Sequence, residues 1–72
     1  MVKVYTLNNC PNCEELKDLF KQKHINFEEV NVEEDFIARA KMVENDLEEM
    51  PVLEVSGKLK AGPVNELVKL VI

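Results

Sequence analysis

The pair Cys10-Pro11-Asn12-Cys13 constrains this chain more than any other feature. It holds both cysteines of the sequence, two residues apart, between an apolar run and a helical pattern. Val2, Val4 and Leu7, with Tyr5 and Thr6, read as a short β-branched and aromatic strand. Beyond Glu14, the apolar residues Leu16, Leu19 and Phe20 recur at helical spacing. Cys10 therefore stands at the strand-to-helix corner, in a capping position. Pro11 suits the first helical position, where its missing N–H would have no intrahelical partner. Cys13 follows one turn in, which sets the two Cα atoms roughly 5–6 Å apart, within reach of a disulfide.

That placement implies chemistry. Unpaired N–H groups and the positive end of the helix dipole favour an anion at a helix N-terminus. The thiolate is the attacking species in disulfide exchange, so Cys10 is the expected nucleophile. Cys13 shares a helix face with Leu16 and Phe20 and is the expected buried, resolving sulfur. As a stabilising crosslink the pair makes little sense, because so short a loop removes little entropy from the unfolded chain.

At 72 residues the chain is expected to form one domain, residues 1–72, with a single modest core. An apolar content of 46% with only 2 Gly and 3 Pro argues for a folded globule. No apolar run approaches the roughly 20 residues that cross a bilayer, so no membrane partner is expected. The start Met1-Val2-Lys3-Val4 enters a strand pattern directly and offers no signal-peptide plan, so the expected location is cytoplasmic. In that compartment a CxxC is more often catalytic or metal-binding than structural. With 14 acidic against 9 basic residues and a net charge of -5, no nucleic acid is expected as a partner.

After the first helix, His24-Ile25-Asn26 closes a turn, and Phe27 to Val32 alternates as a second strand. Asn31 or Glu33 then opens a second helix, with Glu33, Glu34 and Asp35 in its first turn, where negative charge is favoured. Phe36, Ile37, Ala40, Val43 and Leu47 form its expected apolar stripe. The acidic segment Glu44 to Glu49 reads as a loop. Met50-Pro51-Val52-Leu53-Glu54-Val55 is a third strand, Ser56-Gly57 a tight hairpin turn, and Lys58 to Ala61 a fourth strand. Pro63 starts a last helix with Val64, Leu67, Val68 and Val71 inward. The order β-α-β-α-β-β-α makes an α/β protein. Its first two strands should pair in parallel across a right-handed crossover and its last two as a hairpin, in one mixed four-stranded sheet flanked by helices.

The chain resembles a glutaredoxin, a minimal thioredoxin-like fold. The resemblance rests on the Tyr5-Thr6 strand end, the Cys10-Pro11-Asn12-Cys13 turn, the Met50-Pro51-Val52 strand start and Ala61-Gly62 before the last helix. It implies that Pro51 is a cis-proline facing the dithiol and that Met50 offers its backbone to an extended substrate. Pro11, Asn12, Val52 and Gly62 complete the implied substrate-binding set. It also implies a monomeric thiol–disulfide oxidoreductase with no bound cofactor, serving disulfide-containing protein substrates and drawing electrons from a reductase or from glutathione. Departures bear on glutathione. Asn12 stands where the family usually has Tyr, Leu7 where it commonly has Lys, and Met50 where it usually has Thr. Pro63-Val64-Asn65 replaces the segment that helps hold the tripeptide. The small redoxins that serve ribonucleotide reductase share the fold and the CxxC, accept electrons from thioredoxin reductase instead, and are an alternative identity.

Other readings of the same residues remain open. Two thiolates supply half of a tetrahedral zinc site, so a metal-binding module is one alternative and a non-catalytic adaptor another. His24 reads as a partial cation near a helix C-terminus. Glu44, Asp46, Glu48 and Glu49 read as a solvated loop or a docking face. Tyr5 reads as a sheet residue. Lys17 and Lys21 fall on the exposed side of the first helix, and no residue is an evident general base.

Overall fold

The computed structural model describes residues 2–47 and 49–71. Met1 of the expected strand entry and Glu48 of the acidic segment lie outside them. The elements are β1 (Lys3–Thr6), α1 (Pro11–Gln22), β2 (Glu28–Asn31), α2 (Phe36–Glu44), β3 (Val52–Val55), β4 (Lys58–Ala61) and α3 (Val64–Lys69). The expected order is present, with Leu7 left outside β1 and partly exposed.

The four strands form one mixed sheet in the order β2-β1-β3-β4. β1 pairs in parallel with β2, Tyr5 opposite Val30, and antiparallel with β3, Tyr5 opposite Val52. The β3–β4 hairpin turns on Ser56 and Gly57, whose φ values of 53° and 80° are both positive. A two-residue turn of that hand matches the twist of the flanking strands, and Gly57 adopts it without a Cβ penalty.

Strand alternation divides the apolar residues between two faces. Val4 and Leu53 point to one face, where Leu16 and Phe20 of α1 and Val64, Leu67 and Val68 of α3 cover them. Phe20 and Phe27 meet there edge to face, with ring centroids 5.5 Å apart. Tyr5 and Val52 point to the other face, under Ala38 and Met42 of α2, with Val32 beside them.

α2 departs from expectation. Asp35 is its N-cap, accepting hydrogen bonds from the N–H groups of Ile37 and Ala38 at 3.0 and 3.1 Å. Glu33 and Glu34 belong to the preceding turn, so neither Asn31 nor Glu33 opens the helix. Its buried side is Ala38 and Met42. Phe36, Ile37 and Val43 are 88%, 74% and 69% exposed, Ala40 is exposed, and only Leu47 of the expected stripe packs inward. Six of the nine helical residues are Phe, Ile, Ala, Met or Val, spread around the axis. Periodicity therefore had no polar face against which to select a buried one.

α1 and α2 end alike. The N–H of Ile25 bonds the carbonyl of Phe20 at 2.9 Å and that of His24 the carbonyl of Lys21 at 3.2 Å. The N–H of Leu47 bonds the carbonyl of Met42 at 2.9 Å and that of Asp46 the carbonyl of Val43 at 3.1 Å. These are Schellman closures, with His24 (φ 57°) and Asp46 (φ 55°) in the left-handed position that glycine usually takes. Ile25 and Leu47 each pack back onto the adjoining core.

Candidate active site at the Cys10 corner

β1 leaves the sheet at Thr6, and the chain turns through Leu7, Asn8 and Asn9. Asn9 has φ 55°, a left-handed conformation that asparagine tolerates better than most residues. Two asparagines and a glutamate hold the turn. The Asn8 N–H donates to the Glu33 carboxylate at 2.6 Å, Asn31 Nδ2 to Asn8 Oδ1 at 2.9 Å, and the Glu33 N–H to Asn31 Oδ1 at 2.9 Å. This bracing has no local signature in the sequence, because it joins Asn8 to residues 23 and 25 positions away.

Cys10 is the N-cap of α1, with Pro11 at the first helical position, as its sequence position implies. Its Sγ accepts a hydrogen bond from the Cys13 N–H at 3.2 Å. Cys10 and Cys13 form a disulfide with Cα atoms 5.3 Å apart. Cys10 is half-buried and Cys13 is 0% exposed, whereas Pro11 and Asn12 are exposed. One sulfur is thus open to an incoming group and the other sits in the core.

The sheet register gathers further candidates at the same end. Val52 lies opposite both Tyr5 and Ala61, so Pro51, just before β3, and Gly62, just after β4, sit at the same end of the sheet. Met50–Pro51 is cis. Pro51 and Val52 are buried, and Met50 is half-buried against the core under α2. Gly62 has φ 154°, a backbone conformation side-chain-bearing residues rarely adopt, and no atom lies within 4 Å of where its Cβ would be. Its constraint is conformational rather than steric.

Beneath the turn, Lys17 differs from expectation. Its side chain is only 14% exposed, because its ammonium bonds Glu14 at 2.9 Å and reaches across to Glu29 on β2 at 3.1 Å. Glu29 also accepts from the hydroxyl of Thr6 at 3.0 Å, which satisfies that buried side chain. The two carboxylates, Glu14 first, hold the Lys17 ammonium above its ordinary pKa. Chiefly through Lys17, the Glu29 carboxyl is held below the usual glutamate value. The i,i+3 spacing of Glu14 and Lys17 was visible in the sequence; the partner on another element was not. Tyr5 is a buried sheet residue, as read. Its hydroxyl donates to Glu54 at 2.5 Å, and burial followed by that carboxylate raises its pKa strongly.

Among the described residues no group of three or more His, Cys, Asp and Glu side chains is placed to hold a metal ion. No described helix is long and apolar enough to cross a membrane.

A mixed four-stranded sheet with α1 and α3 on one face, α2 on the other, and a CxxC disulfide at the start of α1 defines a thioredoxin-fold redox protein. The glutaredoxin family model matches residues 2–60, and the chain belongs to the glutaredoxin family. It is 33% identical over 63 residues to an uncharacterised glutaredoxin-like 8.6 kDa protein in the rubredoxin operon of Clostridium pasteurianum, covering 86% of this chain and 84% of that one. Among solved structures it resembles the thioredoxin-like protein BC3987, with a TM-score of 0.85 and 29% identity over 99% of this chain and 100% of that one. The NrdH-redoxin of Escherichia coli shares the fold at a TM-score of 0.84, with 21% identity over 96% and 92% of the two chains.

Proposed function

We propose that the protein is a thiol–disulfide oxidoreductase in which Cys10 attacks and Cys13 resolves. The observation that carries this reading is the asymmetry of the pair: Cys10 is half-buried and accepts the Cys13 N–H at the helix start, while Cys13 is enclosed. In the reduced protein the same N–H and the helix dipole favour a Cys10 thiolate. That thiolate attacks a substrate disulfide, forms a mixed disulfide and releases one substrate thiolate. The Cys13 thiolate then attacks the Cys10 sulfur and expels the second substrate thiolate, leaving Cys10–Cys13 oxidised. Two electrons pass to the substrate. The reduced dithiol belongs in a reducing compartment such as the cytoplasm.

The substrate segment in this reading lies across the exposed residues Pro11 and Asn12 and along Met50, Pro51 and Gly62 at the same end of the sheet. Val52 anchors that platform from within the core. The direct test is reduction of a protein disulfide with a dithiol as electron source. Cys10→Ser abolishes turnover, and Cys13→Ser accumulates a mixed disulfide visible by mass spectrometry. Undiminished turnover by Cys10→Ser contradicts the mechanism and favours an adaptor. Stoichiometric metal on chelator-free protein, lost in both variants, favours the metal-binding reading.

For the electron source, a thioredoxin-reductase-type flavoprotein fits these residues better than glutathione. Leu7, Met50 and Asn65 stand where the family carries glutathione contacts, and Glu14 and Glu15 flank the reactive turn of a chain with net charge -5. A close charge pair at a solvated surface is worth about 1 kcal/mol, so repulsion weakens an anionic tripeptide without excluding it. Lost contacts weaken it further. The expected result is poor turnover with glutathione and glutathione reductase, rising with moderate salt, and faster turnover with thioredoxin reductase. Tight glutathione binding in a titration reverses the assignment.

A further inference from the structure

The outer edge of β2 and the start of α2 form a surface used by neither the dithiol nor the core. Phe36 and Ile37 project from it, 88% and 74% exposed, although they belong to a helix buried through Ala38 and Met42. They line a shallow concavity with Val30, Glu28, Glu34 and Asp35. β2 is an edge strand, paired only with β1. The N–H groups of Glu28 and Val32 are spent on β1, at 2.9 Å each. Alternate residues of a parallel pair bond the same neighbour, so Glu29 turns its N–H and carbonyl, and Asn31 its N–H, to the open side.

We propose that this edge docks a partner protein through an extended segment that carries both basic and apolar residues on the side facing α2. Free backbone groups on an edge strand bind an added strand, and pockets beside them read its alternate side chains. Apolar side chains of the segment pack on Phe36 and Ile37, and its cations meet Glu28, Glu34 and Asp35. Among the described residues no basic side chain pairs with Glu34 or Asp35; Glu28 has only a long contact to Lys3 at 3.8 Å. A second copy is a poor occupant, because a two-fold contact at this edge gathers the carboxylates Glu28, Glu34 and Asp35 of both copies onto one patch. This surface is separate from the redox chemistry and does not depend on it.

The test is an NMR titration of the full chain with a blocked peptide repeating two lysines and two valines, which puts both types on each strand face, beside one repeating two glutamates and two valines. The lysine peptide is expected to shift the amides of Glu29, Asn31, Phe36 and Ile37, and to bind more weakly as salt rises. The double variant Phe36→Ser with Ile37→Ser weakens it about tenfold, as loss of an apolar anchor does, with Cys10 alkylation unchanged. Glu34→Gln, which removes one exposed carboxylate without introducing a cation at the helix start, weakens it independently. Shifts centred elsewhere, equal binding of the acidic peptide, or no binding at millimolar peptide overturns the proposal. So does a dimer in sedimentation that the double variant dissolves, which gives the face to a second copy.

Discussion

Cys10 caps a helix with its own sulfur. A serine or aspartate there would satisfy the same N–H through oxygen, but the sulfur can accept that hydrogen bond and also act as nucleophile and leaving group. The Cys10-Pro11-Asn12-Cys13 spacing makes this role legible in the sequence. Lys17 shows the opposite case. Its place on the helix suggested solvent, and only the crossover to β2 brings Glu29 within 3.1 Å. Long-range partners of this kind leave no mark in a local pattern. Lys17→Met removes the shared cation and is expected to cost about 1 kcal/mol at neutral pH, a modest figure because Glu14 and Glu29 are largely exposed. Glu29 is held below its ordinary pKa in the fold. Its contribution is therefore present above the usual glutamate range and lost as pH falls through the lowered value. Lys17 is held above its ordinary pKa, so its contribution survives to neutral pH and is lost only in alkali. Urea unfolding between roughly pH 7 and pH 3 should show the gap between wild type and Lys17→Met closing in acid. A gap independent of pH contradicts the assignment.

At the scale of elements, the strands and helices were legible where one face is polar and ambiguous where both are apolar. α1 buries Cys13, Leu16 and Phe20 and shows charge elsewhere, so its register could be read directly. α2 offers Phe36, Ile37, Ala38, Ala40, Met42 and Val43 around its whole girth, so periodicity does not single out Ala38 and Met42 as the buried side. The helix ends were hidden for a different reason. Both close through a left-handed residue, yet the sequence has only 2 glycines and spends neither there. The readable signal was the pattern of a polar residue followed by an apolar one, His24-Ile25 and Asp46-Leu47. His24 has a conformational role, holding the left-handed position that closes α1. His24→Gly relieves the cost of a side chain at φ 57° and is expected to stabilise the protein by roughly 0.5–1 kcal/mol, read as a higher urea midpoint at unchanged slope. A loss of stability shows that the imidazole makes contacts that outweigh the backbone strain.

Across the whole molecule, the sheet separates two cores and brings the ends of three strands to one rim. Tyr5, Val52 and Ala61 lie side by side there. The Cys10 corner and Gly62 follow their strands at that rim, and Met50–Pro51 leads into β3 there. Chain order and the βαβ rule made this architecture accessible, because one parallel crossover and one hairpin leave few ways to arrange four strands. The bracing of Asn8 by Glu33, and the exposed Phe36, depend on how the loops settle once the sheet exists. The consequence for function is that the fold enforces a difference between two neighbouring cysteines, one at the surface and one 0% exposed. Competitive alkylation of the reduced protein tests this most directly, using limiting iodoacetamide, peptide mapping by mass spectrometry and a series of pH values. Cys10 is predicted to carry the label at least about tenfold over Cys13, with reactivity persisting below the pH where an ordinary thiol falls silent. Equal labelling, or labelling of Cys13 first, contradicts the assignment of attacker and resolver.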